Sequence, residues 1–249
     1  PHQSSAASDV YKRQIINFIL VFFYLPETKP NSDSNKSKTI LKNPLKALFT
    51  VFKEEKIKKL SLAFFIYFIA FTGLTNILIF FLQESLNWTT KASSGTLVVV
   101  GIIAIIVQGG LIGPLVKQFG EMRLTLIGSG FILVACALLI TAPKENATIN
   151  IYSAVSFLAV GAGLITPTLR ALISKKLDVD KQGSILSNLQ GLQSLGGVLG
   201  IAMAGRVYDS FGPKSPFIAG SVILLFMIYL IAEGKSNNSF NNQKSKVLK

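Results

Sequence analysis

The chain of 249 residues is half hydrophobic and only 15% charged, with a mean hydropathy of +0.51, a balance that excludes an ordinary soluble domain. Its apolar residues gather into runs of roughly 20, the length a helix needs to cross a hydrocarbon core about 30 Å thick, so the expected class is an all-α polytopic membrane protein. A net charge of +13 would raise nucleic acid as a partner of a soluble chain, but these lysines and arginines flank apolar runs, where they act as topology signals and headgroup contacts, and nucleic-acid binding is set aside.

The residue inventory narrows the chemistry further. Cys136 is the only cysteine and lies inside an apolar run, which leaves no disulfide framework or thiolate cluster. His2 is the only histidine and belongs to the polar leader. No nucleophile and base pairing, phosphate-binding loop or metal-ligand spacing is present, so neither enzyme, cofactor nor metal site is expected.

In chain order, Pro1 to Gln14 is polar and reads as a non-native junction, outside fold reasoning. Ile15 to Leu25 follows as an apolar run of about 16 Å of helix, roughly half a membrane core, and reads as a spanning helix cut in two. The chain is therefore expected to be a fragment of a longer protein. Residues 26–59 form a linker: Glu27 to Thr39 is of disordered type, then Asn43 caps a short helix with Pro44 in its first turn. Leu45, Leu48, Phe49 and Phe52 make an apolar stripe that suits the membrane interface.

Six full spans are expected over 60–232, at about Leu60 to Leu82, Ser93 to Val116, Arg123 to Ala142, Asn150 to Ile173, Ser184 to Val207 and Ser215 to Ala232, with a tail over 233–249. The turn signals between them are Asn87-Trp88, Ala142-Pro143, Asp178 to Gly183 and Phe211-Gly212-Pro213. Most lysines and arginines gather on one side, in the linker, at Lys117 and Arg123, around Arg170, Lys175, Lys176 and Lys181, and in the tail. That side, with the hairpin over 117–123 and the C-terminus, is expected to be cytoplasmic, in a cell inner or plasma membrane.

Polar residues inside the spans are the site candidates. Ser187, Gln190 and Ser194 share one face of the Ser184 span with Gly197 and Ile201, which favours either a water-filled cavity or a helix contact. Gly196, Gly200 and Ala204 form a small-residue stripe suited to close packing or to sliding. Thr72 and Asn76 interrupt the first span and Gln108 the second, while Pro167 frees a carbonyl and permits a kink. Lys117, Glu121 and Arg123 are spaced for an ion-pair cluster beside Gly120 or for a solvated turn.

The hairpin Gly113-Pro114-Leu115-Val116-Lys117-Gln118-Phe119-Gly120-Glu121-Met122-Arg123 resembles the cytoplasmic hairpin signature of the major facilitator superfamily, and within it the drug-efflux antiporters of the tetracycline-exporter type. Lys117 stands where the stronger, first-half copy of that signature has an acid, so the match is to the weaker copy joining helices 8 and 9. Leu25-Pro26-Glu27-Thr28, Asn43-Pro44-Leu45 and Gln182-Gly183 with Leu189 to Leu195 resemble the end of helix 6, the start of the linker helix and the entry to helix 11. The resemblance implies the C-terminal half of a twelve-helix transporter working by alternating access. Its partners would be the bilayer, a small-molecule substrate and an N-terminal six-helix half, and its energy source a proton gradient. It also places Thr72, Asn76, Gln108, Gln190 and Ser194 near a substrate cavity and gives Gly113, Lys117, Gly120, Glu121, Arg123 and Pro167 a part in gating. The implied cycle is proton-coupled export of a small amphiphilic compound. A sugar or organic-anion permease, or a membrane scaffold or sensor without transport, stands as the alternative.

Overall fold

The computed structural model describes residues 48–143 and 147–247, with side chains as far as Glu233. The leader, the half span over 15–25 and the Asn43-Pro44-Leu45 helix start lie outside the described residues. Among those described, the structure is entirely helical. Six long helices follow a short 3-10 turn, Thr50–Lys53. They are α1 Lys58–Ser85, α2 Thr90–Phe119, α3 Glu121–Ile140, α4 Thr148–Ser174, α5 Val179–Phe211 and α6 Ser215–Val247.

Local chemistry sets the ends of these helices. Thr89 starts α2 by accepting a hydrogen bond from the Ala92 amide at 3.3 Å, using one of the donors that a helix N-terminus leaves unpaired. Gly120 separates α2 from α3 with φ 77°, a left-handed value at which a Cβ would be strained. The connection expected over Asp178 to Gly183 shrinks to the few residues before Val179, since α5 is already helical there. Gln182 helps to close it, its amide donating to the Ser174 and Leu177 carbonyls at 3.3 and 3.4 Å, so the end of α4 is satisfied from the first turn of α5. At the other boundary, backbone helix continues through α6 to Val247 although the apolar run stops at Ala232. Polar residues bar a segment from lipid without barring it from a helix.

Among the described residues five helices are long and apolar enough to cross a membrane: α1 to α4, and α6 over Ser215–Glu233. The helix α5 is longer than most of these but too polar to join them. In the bundle α3 packs along α4, and α1 packs against both α5 and α6. The pair α3 and α6 connects the two groups, while α2 rests mainly on α4. The core is continuous, running through Phe64, Tyr67, Phe81, Ile132, Ile151, Leu169, Leu189 and Phe217. Burial is uneven: half of the apolar window of α1 and of α4 is buried, but only 11% of that of α2. The turn over Thr50–Lys53 lies against α1 and α5, with Val51 fully buried and Phe49 half exposed. This part of the linker is therefore packed protein on one side, with Asn188 of α5 donating to the Thr50 hydroxyl at 3.1 Å.

Candidate functional site

The helix α5 has two opposite faces, and the 3.6-residue period separates them cleanly. Ile185, Leu189, Leu192, Gly196 and Gly200 are buried, whereas Ser187, Gln190, Ser194 and Ile201 are exposed. The buried face is narrow enough for backbone contact: a Cβ added to Gly73 of α1 would lie 2.8 Å from the Gly200 carbonyl oxygen and 3.1 Å from the Ala204 Cβ. Gly196 meets the Phe65 carbonyl and Phe68 side chain of the same helix. Gly196, Gly200 and Ala204 thus all lie on the seam with α1. The polar stripe points the other way, out of the bundle.

At the border of that stripe, α5 meets a charge. Arg170 sits inside α4, one turn short of Ser174, rather than in the connection where its neighbours Lys175 and Lys176 lie. Helical side chains lean toward the N-terminus of their own helix. Because α4 and α5 run in opposite directions, Arg170 and Gln190 lean toward each other. The Arg170 Nη2 donates to the Gln190 Oε1 at 2.7 Å and to the Gln193 Oε1, and its guanidinium carbon stands 5.9 Å from the centre of the Phe64 ring. Phe64 heads an aromatic series through Tyr67, Phe68 and Phe71 on α1, and the Tyr67 hydroxyl shares a hydrogen bond with Thr166 at 3.3 Å. Three helices, α1, α4 and α5, therefore converge on Arg170.

The other candidate residues are distributed around this junction. Thr72 faces Gly197 of α5, within 3.6 Å of where a Cβ would be. Asn76 is exposed, but its amide donates to the Thr72 carbonyl at 2.9 Å, and Ser194 likewise bonds back to the Gln190 carbonyl at 3.2 Å. Each of these two bonds lies within the residue's own helix. Gln108 lies in a π-helical turn, Val107–Leu111, and is exposed beside α4 at Gly163. Pro167 removes the amide that would have paired with the Gly163 carbonyl, and a Cβ on Gly163 would meet Val107 at 2.9 Å. The π turn of α2 and the proline of α4 are thus in register across one contact, and π turns of this kind relax the hydrogen-bond ladder locally.

At the hairpin, Glu121 does not close an ion-pair cluster with Lys117 and Arg123. Its carboxylate pairs with Lys175 at the end of α4. Glu121 opens α3 immediately after the Gly120 turn, and the chain reversal that brings α4 back beside α3 supplies a closer cation than the loop does. The same end of the bundle holds Lys181 to Glu54 at 2.7 Å and Lys59 to Glu233 at 2.6 Å. At the opposite end the Tyr208 hydroxyl of α5 donates to Glu84 at the end of α1, at 2.8 Å. Gly113 has open space around it.

Three features escape the sequence reading. Along the chain Arg170 counts with the loop lysines, although its place inside the Asn150 to Ile173 run is itself a signal, and Gln193 flanks the polar stripe instead of lying on it. The close contact of Gly128 with Gly161 is the third. There a Cβ on Gly161 would come within 2.6 Å of the Gly128 carbonyl oxygen, and the Thr125 and Thr168 hydroxyls share a buried hydrogen bond of 2.8 Å nearby. Its weak signal is a pair of small residues facing each other on separate helices, which no local spacing reveals.

Comparison with known proteins agrees with this architecture. The profile of the Major Facilitator Superfamily matches residues 15–201. The tetracycline resistance protein, class C, of Escherichia coli is 26% identical over 52% of this chain and 32% of its own length. Major facilitator superfamily domain-containing protein 10 of Mus musculus is 23% identical over 87% of this chain and 51% of its own length. The crystal structure of the human organic anion transporter MFSD10 (TETRAN) superposes with a TM-score of 0.72 at 19% identity, covering 87% of this chain and 54% of that one. The chain thus spans about a third to a half of the length of these relatives. With three quarters of its residues matched to the family profile, and with the family's helical fold, this chain belongs to the major facilitator superfamily of transporters.

Proposed function

We propose that the bundle is the C-terminal six-helix half of a twelve-helix secondary active transporter, which works by alternating access and exports a small amphiphilic compound in exchange for protons. The observation that carries this reading is the polar face of α5. Ser187, Gln190 and Ser194 point away from the bundle, and polar side chains facing hydrocarbon are costly, so this face fits a water-filled path shared with a second bundle. On α2, Ile102, Ile105 and Ile106 are more than half exposed, and a Cβ on Gly109, Gly110 or Gly113 would meet no other element within 4 Å. That face fits a neighbouring helix at close range. A second half would cover both surfaces and rock against them about a site near the midplane, with Thr72, Asn76, Gln108, Gln190 and Ser194 on its wall.

Gating fits the hairpin end, for which the excess of lysine and arginine supports the cytoplasmic side. There Gly120 and the Glu121 to Lys175 pair couple α3 to α4, Gly113, Lys117 and Arg123 flank the turn, and Pro167 with the Val107–Leu111 turn gives two helices a matched place to bend. The acids of the described helices stand in end turns or, for Glu233, where the apolar part of α6 ends, so the titrating group of a proton cycle is assigned to the other half. A permease for an organic anion is the second reading, favoured by the described activity of the human structural neighbour.

Inside-out vesicles from cells expressing the complete coding sequence test the cycle. Tetracycline is expected to accumulate while an inward-acid proton gradient stands and to leak back once an ionophore collapses it. Accumulation indifferent to the ionophore would overturn proton coupling. Vesicles that accumulate salicylate and exclude tetracycline would favour the organic-anion reading.

A further inference from the structure

Arg170 carries more donors than its neighbours satisfy. Both of its hydrogen bonds leave from Nη2, and the fully buried Nε has no partner. An arginine has no acceptor and stays charged at any accessible pH. Gln190 and Gln193 turn their oxygens to Nη2, which fixes the orientation of both amides and leaves their NH2 groups as the atoms without a partner. Every unused polar atom in the cluster, on three side chains from two helices, is consequently a donor.

No acid of the bundle answers that charge. Among the described residues Glu54 pairs with Lys181, Glu55 with Lys58, Glu121 with Lys175 and Glu233 with Lys59, Glu84 accepts from Tyr208 at the far end of α5, and Asp178, Asp180 and Asp209 stand at the two ends of α5, none of them paired with Arg170. What surrounds Arg170 is neutral: two amides and the Phe64 ring, which lies about 9 Å along α1 from Lys58 at ~1.5 Å per residue. A permanent cation at that depth calls for an anion, because an unpaired charge in a low-dielectric setting is costly. Gln190 is exposed, so the cluster opens onto the polar face of α5.

The geometry points to Arg170, with Gln190 and Gln193, as the anchor for the carboxylate of a small organic-anion substrate. The inference rests on the transport reading of the bundle and names the substrate class for its path. Two carboxylate oxygens match the planar guanidinium donors, and the free amide groups of the glutamines extend the donor set on the open side. The rest of the ligand would lie along the stripe of Ser187 and Ser194. A fixed charge here discriminates between a carboxylate and its neutral amide, since the amide brings an NH2 group against donors.

Binding by the purified chain in detergent micelles tests this apart from transport. Calorimetric titration is run with salicylate, an aromatic carboxylate, and with salicylamide, its neutral counterpart. Salicylate is expected to bind at least about tenfold more tightly, with Arg170→Gln abolishing the preference and Arg170→Lys restoring part of it, because an ammonium keeps the charge without the planar fork. Equal binding of the two compounds, or a preference that survives in Arg170→Gln, overturns the anchor. A footprint on the unaltered chain covers variants that fail to fold. Phenylglyoxal labelling of Arg170, read by mass spectrometry, is expected to fall severalfold with salicylate and to be unchanged with salicylamide, and labelling indifferent to salicylate overturns the site. The same footprint on protein from the complete coding sequence separates the two sources of a carboxylate. If Arg170 is already shielded there and salicylate changes nothing, its partner is an acid of the protein, which overturns the substrate assignment. Salicylate binding without proton-driven flux in vesicles would sink the transport reading and leave the site standing. Flux without salicylate binding would do the reverse.

Discussion

The seam between α3 and α4 and the seam between α1 and α5 are built with the same device and serve different ends. Each brings two backbones together through facing glycines, Gly128 with Gly161 in the first and Gly73 with Gly200 in the second. In the first seam the polar groups point inward: Thr125 and Thr168 bond to each other in a fully buried position, and Ser129 bonds back to the Thr125 carbonyl at 2.8 Å. In the second they point outward, where Ser187, Gln190 and Ser194 stand on the opposite side of α5 from Gly196 and Gly200. Glycine contact without a large driving force between helices needs close packing to hold. Polar groups inside such a seam act as glue, and polar groups on its back fit the water-filled path proposed for α5.

Substitution can break this comparison, and the largest effect is expected at Gly161. Gly161→Val forces a branched side chain against the Gly128 carbonyl and the Ile132 backbone, and is expected to lower unfolding stability by about 3 kcal/mol, as overpacking a tight contact does. Reversible unfolding in mixed micelles measures it, and a loss under about 1 kcal/mol would show that the helices slide apart easily. A smaller effect is expected for Thr168→Val, which leaves the Thr125 hydroxyl with only its bond to the Glu121 carbonyl. About 1 kcal/mol is expected in the same assay, and no loss would remove the glue assignment. The smallest stability effect sharpens the contrast from the other side. Ser187→Ala combined with Ser194→Ala touches only the exposed face of α5 and is expected to stay within about 0.5 kcal/mol of the parent, while, on the proposed transport cycle, substrate accumulation in vesicles carrying the complete protein falls. A double variant that loses as much stability as Thr168→Val would place that face in a packed seam.

Much of the bundle was legible because membranes impose strict local rules. Apolar runs of spanning length, the Gly120 turn and the charge-rich connections follow from segment hydropathy and turn chemistry, which involve residues near one another in the chain. The polar stripe of α5 was legible for the same reason, since a 3.6-residue period sorts side chains onto faces. The hairpin signature that led to the family likewise lies in one continuous stretch, Gly113 to Arg123.

What the sequence by itself determined is therefore the set of helices, their order and the character of each face. Only the tertiary structure decided which faces meet. Periodicity marks Gly200 as a small residue on a stripe, but not that its neighbour is Gly73; it marks Glu121 as an acid beside a turn, but not that Lys175 will reach it before Lys117 or Arg123. Arg170 shows the point most sharply. Counted along the chain it belongs with Lys175 and Lys176, and it becomes the shared contact of α1, α4 and α5 only because antiparallel helices lean their side chains toward each other across a seam. Pairings of that kind depend on how helices are placed against one another, which hydropathy and spacing within a single helix do not encode.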